Sequence, residues 1–503
     1  MRVVALITGC LLASCVARAE TWYVDASATG WGDGRSWETA FITINRALQA
    51  GSYYGDTIIV GEGTYQETIE ILGRILRLTS KDPTDPAVVA ATIIDANAAG
   101  PALTFDGSES ERCVVEGFTI TNGRAADGGG INGNGTLATI RYNVITRNVA
   151  CGGPWPNHGS GGGIYRCNGL IENNVISENV AGKEGWPDEQ AGNGGAIAYC
   201  AGTIRNNTIV RNSVVGKTCN AEFPWNCDYA VGPALFVCNG TIEENLIADN
   251  RSESGGGAIW RSWASILRNT LSGNSGAGLV GCGGVAAGNI MVGNAYRGVY
   301  GFEGLLLNNT IVANTGGGVR DCRGFIQGCI IWANGGLGTP QLEGSDLPTY
   351  SCIEGWTGGG EGNISEEPRF VDAERGDFRF SPDSPCIDAG FNDPQLPETD
   401  IAGMHRIMFG GKSLTVDMGA YEFYINDLTP GPTPEQTTFS WSSPADKTYS
   451  IFYSSDLLTW HLAVATFPSS GNTTTSWIDD GSKTGLAPSF VPRRFYRTVE
   501  NPQ

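Results

Sequence analysis

The sequence predicts an all-β protein: a right-handed parallel β-helix with an N-terminal capping helix and a small C-terminal antiparallel β-sandwich. Three observations support this fold class. A short asparagine motif recurs with a basic period of 20 residues, apolar residues and cysteines recur in step with it, and glycine runs separate short β-branched segments. A short period with insertions of variable length is typical of a solenoid. Many of the 72 glycines among the 503 residues are therefore expected in turns between strands.

The repeated motif consists of two asparagines five positions apart with an isoleucine or leucine between them. Its copies are Asn143–Asn148, Asn174–Asn179, Asn207–Asn212, Asn245–Asn250, Asn269–Asn274, Asn289–Asn294 and Asn309–Asn314, with Cys329–Asn334 as a variant and Gly117–Asn122 as a weaker early copy. The last four closing asparagines follow one another at intervals of 20 residues. Stacked coils place equivalent residues above one another at about 4.8 Å. We therefore expect asparagine ladders that satisfy the backbone of the turns.

Three further columns keep a fixed distance from the closing asparagine. Apolar residues stand fifteen and eight positions before it, and cysteines stand twelve positions before it at Cys167, Cys200, Cys238, Cys282 and Cys322. The apolar columns predict inward-facing strand positions. The cysteine column is predicted to consist of small buried thiols, although stacked cysteines also lie close enough for disulfides. No histidine column accompanies them, which argues against a metal site.

Charged residues alternate in sign along two more columns. Seven positions before the closing asparagine stand Arg141, Glu172, Arg205 and Glu243, and one position before it stand Arg147, Glu178, Arg211 and Asp249. Opposite charges on neighbouring rungs attract each other by a few tenths to about 1 kcal/mol. We therefore expect these eight residues to stabilise the stack, and they are not candidate catalytic residues.

Residues 1–19 have the features of a secretory signal peptide, with the basic Arg2 before an apolar stretch and a small-x-small cleavage site at Ala17–Ala19. The sequence Leu12–Cys15 also resembles a bacterial lipobox, in which Cys15 would carry lipid. Either route of export places the later cysteines where disulfides form. Cys219 and Cys227 lie eight residues apart in a stretch that is predicted to be irregular, and they are the expected disulfide. No later stretch is long and apolar enough for a transmembrane helix.

Five segments follow the signal peptide. Within the first of them, Ser36–Gly51 places Phe41, Ile44, Ala47 and Leu48 at helical spacing, which predicts a short helix that covers the open end of the solenoid. The predicted segments are 20–80 for the N-terminal cap and first coils, 81–345 for the parallel β-helix, 346–428 for the closing coils, 429–436 for a Pro-rich linker, and 437–503 for the small β-sandwich.

Several short motifs resemble known families. Trp22–Asp25, Gly32–Gly34 and Gly61–Tyr65 resemble the opening segment of pectin-lyase-like right-handed β-helix proteins, and the resemblance extends over Thr21–Phe423. Asn363–Ser365, Pro368–Asp372, Asp377–Phe380, Ser384–Gly390 and Val416–Glu422 resemble the closing region of choice-of-anchor Q proteins. Those proteins are bacterial surface or secreted β-helices with interchangeable C-terminal attachments. The resemblance implies a scaffold outside the cell and says little about chemistry.

Insertions follow Asn148, Asn179 and Asn212, at the same position in three successive coils, and are predicted to stack into one wall. They carry Trp155, His158, Trp186, Asp188, Glu189, Trp225, Asp228 and Tyr229, close to Tyr165 and Trp260. Carboxylates accept hydroxyl protons or hold Ca²⁺, and aromatic rings pack on sugars. We therefore expect the wall to contact a glycan through Trp155, Trp186, Trp225, Tyr229 and Trp260. Ordinary packing of the loops is the alternative.

Two functional classes fit these features. The first is an exported, surface-associated or secreted monomer that binds an extracellular polysaccharide or cell-surface component without catalysis. The second is a polysaccharide lyase or glycoside hydrolase, whose candidate catalytic residues are Asp188, Glu189, Asp228, Lys217 and His158, with Lys183, Arg251 and Arg261 as further bases. No established catalytic motif is evident, which favours binding, and no cofactor is indicated beyond Ca²⁺. The net charge of −20 argues against a nucleic-acid binder, which needs a basic surface.

Overall fold

The computed structural model describes residues 19–30, 32–51, 54–152, 158–183, 191–219, 227–253, 255–336, 338–407, 413–424, 426–456, 459–471, 473–491 and 494–501. Over these residues the chain is mainly β, with three long parallel sheets that form a β-helix and small antiparallel sheets at the C-terminal end. To that extent the predicted fold class is confirmed. The handedness of the winding stays a prediction.

The coils contribute strands to each of the three long sheets in turn, so the strands of a sheet lie in sequence order. Sheet 1 contains Thr21–Val24, Tyr54–Val60, Ile75–Ser80, Val114–Glu116, Thr139–Arg141, Leu170–Glu172, Thr203–Arg205, Thr241–Glu243, Trp263–Leu267, Gly283–Ala287, Glu303–Leu307 and Arg323–Gln327. Sheet 2 contains Gly63–Gln66, Thr92–Asp95, Thr119–Thr121, Val144–Thr146, Val175–Ser177, Thr208–Val210, Leu246–Ala248, Thr270–Ser272, Ile290–Val292, Thr310–Val312, Ile330–Trp332 and Cys352–Ile353. Sheet 3 contains Ile69–Glu70, Leu103–Thr104, Ile131–Asn132, Ile164–Tyr165, Ile197–Ala198, Leu235–Phe236, Gly257–Trp260, Ala277–Val280, Arg297–Tyr300, Gly317–Arg320 and Leu342–Glu343.

The apolar columns of the sequence become vertical neighbours in the stack. In sheet 1, Ile171 pairs with Ile140 on one side and with Ile204 on the other. In sheet 3, Val299 pairs with residues 20 positions earlier and later. These side chains are almost completely buried, and burying each one stabilises the fold by about 1.5–3 kcal/mol. The inward-facing positions predicted from the spacing are confirmed.

Buried asparagine side chains form two ladders along the stack. The closing ladder runs from Asn148 to Asn334 and the opening ladder from Asn143 to Asn309. At Asn289, the backbone N–H and the side-chain NH₂ donate to Oδ1 of Asn309 in the next coil at 3.0 and 2.9 Å. The same NH₂ group donates to a carbonyl oxygen of the preceding coil at 2.7 Å. The predicted asparagine ladders are therefore confirmed.

The cysteine column also forms hydrogen bonds with backbone groups of neighbouring coils, with smaller side chains than the asparagines. Cys200 Sγ accepts the backbone N–H of Cys167 at 3.2 Å and donates to the carbonyl oxygen two residues earlier at 3.5 Å. Where a serine occupies the column, Ser262 Oγ accepts the N–H of Cys238 at 3.0 Å. The column cysteines are free thiols in the structure. The position therefore needs a small buried group that both accepts and donates a hydrogen bond.

Among the described residues, most of the alternating charges are paired across neighbouring rungs, although Asp249 is not among the pairs and Glu243 pairs with Arg268, which lies outside the predicted column. The pairs are Arg141–Glu172 at 3.8 Å, Arg205–Glu172 at 2.7 Å, Arg147–Glu178 at 3.1 Å, Arg211–Glu178 at 3.5 Å and Arg268–Glu243 at 3.4 Å. The charge column of sheet 1 begins one coil earlier than the spacing predicts, at Glu116. The Glu116 side chain, 1% exposed, pairs with Arg141 at 2.7 Å and with Arg77.

The helices of the described chain are Ile44–Ala50 and Pro86–Ala91, with 3₁₀ turns at Ala373–Arg375 and Pro488–Phe490. The first helix begins later than the predicted Ser36 because two groups cap it at Ile44. The Thr43 side chain accepts the N–H of Arg46, and the Glu67 carboxylate accepts the N–H of Ile44 at 2.7 Å. The helix lies against the first strands of sheets 1 and 3, and its capping role stays a prediction. No helix in this part of the chain is long and apolar enough to cross a membrane.

The closing region packs on the outside of sheet 2. The strands Phe370–Asp372 and Asp377–Phe380 pair as an antiparallel hairpin. Phe378 and Ala420 share a buried cluster with Ile290 and Val312, which project outward from sheet 2. The last coils are thereby covered by the chain that follows them.

Within the described C-terminal residues, two small antiparallel sheets pack around a common cluster. Their strands are Asn426–Pro430, Thr437–Ser443 and Thr473–Asp479 in one sheet, and His461–Pro468, Thr448–Ser454 and Phe495–Glu500 in the other. Trp441 and Trp477 are 4% and 8% exposed in the cluster between them. The segment 429–436, predicted to be a linker, starts inside a strand, because the chain folds back and pairs Pro430 with Thr437.

Removing one rung of an asparagine ladder should destabilise the solenoid. In Asn289→Ala, the backbone N–H of Asn269 loses its acceptor, and the NH₂ of Asn269 and the carbonyl oxygen of Ile266 each lose one hydrogen bond. We expect the free energy of unfolding to fall by roughly 2–5 kcal/mol. Urea unfolding measures the change. Asn289→Ser is the control, because Ser351 already accepts the equivalent N–H of Cys329 at 3.1 Å. Equal losses for the two variants, or an unchanged alanine variant, would contradict the ladder's role.

The two charge columns allow a buried and an exposed carboxylate to be compared in one protein. The Glu116 side chain is 1% exposed and the Glu178 side chain is 40% exposed, and each lies between two arginines. We expect Glu116→Gln to lower the free energy of unfolding by about 1–3 kcal/mol. Glu178→Gln should produce little measurable change, since water already screens its charge. Thermal or urea unfolding that ranks the two variants in the opposite order would refute this explanation.

Candidate functional site

The bases of the three insertions stack beside the long sheets. Sheet 4 is a parallel ladder of Arg124–Ala125, Val149–Ala150, Val180–Ala181, Ser213–Val214 and Arg251–Ser252. Gly159–Ser160 and Gly192–Asn193 form a further short parallel pair. Ala150, Ala181, Val214 and Ala230 make a small, fully buried cluster behind these strands. The stacking predicted from the common position of the insertions is present in the described residues.

Glycines allow this wall to lie directly against sheet 3. Gly161 has a φ of +66°, in the left-handed region. A Cβ at this position would lie 2.3 Å from the carbonyl oxygen of Ile164 and 3.0 Å from Cβ of Tyr165. Gly128 and Gly194 occupy the same position in the neighbouring coils, with φ of +63° and +64°. The wall therefore closely adjoins the outward-facing side chains of sheet 3.

Those side chains form a surface that we call the aromatic face, consisting of Tyr165, Tyr199, Phe236 and Trp260. Tyr165, Ala198, Phe236 and Trp260 occupy successive rungs of sheet 3. The Tyr199 ring lies edge-on to the rings of Tyr165 and Phe236, with centroids 5.8 and 5.3 Å away. It thus bridges the gap that the small Ala198 leaves in the row. Tyr199 is 40% exposed, so its ring is accessible to a ligand.

A half-buried carboxylate adjoins the aromatic face. The Asp127 carboxylate accepts the backbone N–H of Ser160 at 2.9 Å. Burial raises the pKa of Asp127, against the opposing effects of the Ser160 hydrogen bonds and of positive charge on Arg166 and His158. Burial also raises the pKa of Tyr165, and the Asp127 charge adds to this shift. Aromatic rings, a carboxylate with increased proton affinity and an exposed guanidinium group therefore lie together.

The structure places only some of the residues that the sequence predicts for this site. Trp155, Trp186, Asp188, Glu189, Trp225 and the lipidation candidate Cys15 lie outside the described residues. Trp260 belongs to the aromatic face, and His158 lies close enough to Asp127 to influence its pKa. In the described part of the chain, no group of three or more His, Cys, Asp or Glu residues is arranged to hold a metal ion. The insertion carboxylates Asp188 and Glu189 are outside that part, so a role for Ca²⁺ stays a prediction.

The insertion after Asn212 contains a β-hairpin rather than only the irregular chain that was predicted. Lys217–Cys219 and Cys227–Tyr229 pair as antiparallel strands, with Cys219 directly opposite Cys227 and Asp228 opposite Thr218. Directly opposed residues in such a pair have Cα atoms about 4.5–5.5 Å apart, within the range that a disulfide spans. The Cys219–Cys227 disulfide stays a prediction, which this register supports.

Sequence reasoning missed Asp127, Arg166, Tyr199 and Phe236. A positional signal for two of them exists: Arg166 and Tyr199 stand thirteen residues before their closing asparagines, at a corner where both have positive φ. Asp127 lies in a column with Ser160, since the two form a parallel bridge immediately before the glycine runs. Both columns become visible once the coils are aligned on glycine as well as on asparagine.

Comparison with known proteins adds likenesses of fold and no family. No protein-family model and no curated protein sequence matches this chain. A crystal structure of pectate lyase Pel9A aligns with a TM-score of 0.41 and 14% identity over 81% of this chain and 98% of that chain. The deglycosylated pectin methylesterase from Aspergillus niger aligns with a TM-score of 0.18 and 12% identity over 71% and 93% of the two chains. Likenesses this remote say nothing about substrate or chemistry, and the β-helix is established by the strand ladders themselves.

Proposed function

We propose that this protein is exported and uses the aromatic face to bind an extracellular polysaccharide or another cell-surface glycan without catalysis. The row of rings from Tyr165 to Trp260 carries the proposal, because it runs along four successive rungs of one sheet, with the Tyr199 ring covering the rung of Ala198. Successive rungs are about 4.8 Å apart, so a polymer lying along the stack would meet Tyr165, Tyr199 and Trp260, while the 8% exposed Phe236 supports the Tyr199 ring from the side. Sugar rings present C–H faces that pack on aromatic side chains, while neighbouring polar groups bond their hydroxyls.

Charge favours a neutral polymer over an acidic one. The chain has a net charge of −20, which repels polyanions unless a cation bridges the two. At the aromatic face itself, the exposed Arg166 and Arg261 occupy equivalent corners of their coils. Their guanidinium groups can donate hydrogen bonds to sugar hydroxyls. The Asp127 carboxylate can accept hydrogen bonds from such hydroxyls. In this proposal the predicted contacts Trp155, Trp186, Trp225 and Tyr229 extend the same surface along the wall.

Two regions of the sequence support the proposed location. The signal-peptide features of residues 1–19 support export, and Cys15 would anchor the protein if the lipobox is processed. The closing region, 346–428, would serve as a choice-of-anchor Q-type end of a bacterial surface protein.

The helix Ile44–Ala50 would cover the opposite end of the solenoid, where Ile44, Ala47 and Leu48 are buried. We take the protein to act as a monomer.

The alternative function is a polysaccharide lyase or glycoside hydrolase, and Asp127 is the observation that favours it. A carboxyl group whose pKa is raised by burial is suited to proton transfer. An inverting hydrolase needs a second carboxylate about 6.5–9.5 Å away, which Asp188, Glu189 or Asp228 would have to supply. A lyase needs a base next to the sugar, for which Arg166 is a candidate beside the predicted Lys217.

A polysaccharide screen with three aromatic variants tests the binding proposal. Tyr199→Ala and Trp260→Ala remove rings from the aromatic face, and each should weaken binding about tenfold, equivalent to about 1.4 kcal/mol. Trp263→Ala is the control, because Trp263 is 56% exposed and belongs to sheet 1. Isothermal titration with soluble polymers measures the affinities. Loss of affinity in Trp263→Ala alone would contradict the proposal, because it would show that the polymer binds at sheet 1 and not at sheet 3.

Turnover assays separate binding from catalysis. We expect incubation with the bound polysaccharide to release neither reducing ends nor products that absorb as unsaturated sugars, and Asp127→Asn to leave this result unchanged. Turnover that disappears in Asp127→Asn while affinity is retained would establish the enzymatic alternative instead.

A further inference from the structure

Two cysteines outside the ladder meet where the closing region joins the last coil. Cys352 lies in the last strand of sheet 2, and Cys386 lies 34 residues later in the closing region. Both side chains are completely buried, and both belong to one apolar cluster with Ile330 and Met418. The two side chains lie in this one small cluster, and the Cys352 side chain together with burial holds the pKa of Cys386 well above its usual range.

The hydrogen bonds of this pair differ from those of the ladder thiols. Each of Cys200, Cys238 and Cys282 donates to the carbonyl oxygen two residues earlier, and Cys200 also accepts a backbone N–H of the preceding coil. Cys352 donates instead to the carbonyl oxygen of Glu366, fourteen residues later, at 3.2 Å. Oxidation removes the donor hydrogen of any of these thiols, but at Cys352 the hydrogen bond that is lost lies outside the ladder. The Cys352–Cys386 contact therefore has no part in the ladder and joins two separate pieces of chain.

We propose that Cys352 and Cys386 are a modification site: they form a disulfide when the chain folds in an oxidising environment, and the bond fastens the closing region to the last coil. A thiolate of one cysteine displaces one thiolate from an external disulfide such as oxidised glutathione. The second cysteine then displaces the remaining glutathione as a thiolate. Two protein thiols and one external disulfide become one protein disulfide and two external thiols, so the protein loses two electrons and the glutathione gains them.

Burial determines when this exchange takes place. Thiolates are the reacting species, and burial in the finished fold keeps Cys386 protonated at neutral pH. The bond therefore forms while the closing region is still folding back on the stack. Once formed, it links residues 34 positions apart and restricts the unfolded chain. Its occurrence in the cell rests on the proposed export, because the cytosol keeps such thiols reduced.

Disulfide mapping of the full-length protein tests the pairing directly. The protein is unfolded, refolded in a mixture of reduced and oxidised glutathione, alkylated with iodoacetamide in denaturant, digested and analysed by mass spectrometry. We expect a linked Cys352–Cys386 peptide two hydrogens lighter than the separate peptides, whereas Cys167, Cys200 and Cys238 carry the alkyl group. Alkylation of both Cys352 and Cys386, or their linkage to other cysteines, would overturn the proposal.

Stability measurements provide a second test with matched variants. Dithiothreitol should lower the melting temperature of the oxidised wild type by several degrees more than that of Cys386→Ser, in which only the predicted Cys219–Cys227 bond is left to reduce. Cys282→Ser is the control that should respond like the wild type, because serine already serves in that column at Ser262. If Cys386→Ser does not fold, the mapping of the wild type still decides. A bond that forms on refolding but is missing from protein isolated from its own cells would contradict the proposed export and leave the pairing intact.

Discussion

The structure depends on the need to pair buried polar groups at every corner of the coil. The strands of the three long sheets are only two to seven residues long, so the corners contain many N–H and C=O groups that no strand partner reaches. An asparagine placed there accepts from the preceding coil and donates both to that coil and to the next, as Asn289 does with Asn269, Ile266 and Asn309. An unpaired buried group costs about 1–3 kcal/mol. Stacking in register is consequently favoured at each rung, and a shift by one residue would break a whole ladder.

Register in turn determines where functional side chains can appear. Once the corners are aligned, every outward position becomes a column, and each column takes on the chemistry of the residues that occupy it. Opposite charges alternate along one column, where Glu172 lies between Arg141 and Arg205. Aromatic rings occupy another, from Tyr165 to Trp260. A solenoid can thus present a long, repetitive surface of one chemistry without a deep pocket.

Spacing alone was enough to predict the columns, because residues separated by one period become neighbours in space. It placed Ile171 between Ile140 and Ile204 correctly. It was not enough where contacts come from another part of the chain. The first helix starts late because Glu67, from a later strand region, caps it, and Cys386 meets Cys352 only because the closing region folds back. Asp127 was missed for a related reason, since its burial depends on how the insertions stack.

The central claim is that in-register stacking makes sheet 3 and its adjoining wall the surface that binds a ligand. Hydrogen–deuterium exchange, measured with and without the tightest-binding polysaccharide of a screen, tests this claim most directly. The account predicts slower exchange in 158–166, 192–199, 231–237 and 256–261 when the polymer is bound, with little change elsewhere. Protection confined to the outer face of sheet 1 around 263–267, or to the C-terminal sheets, would contradict it.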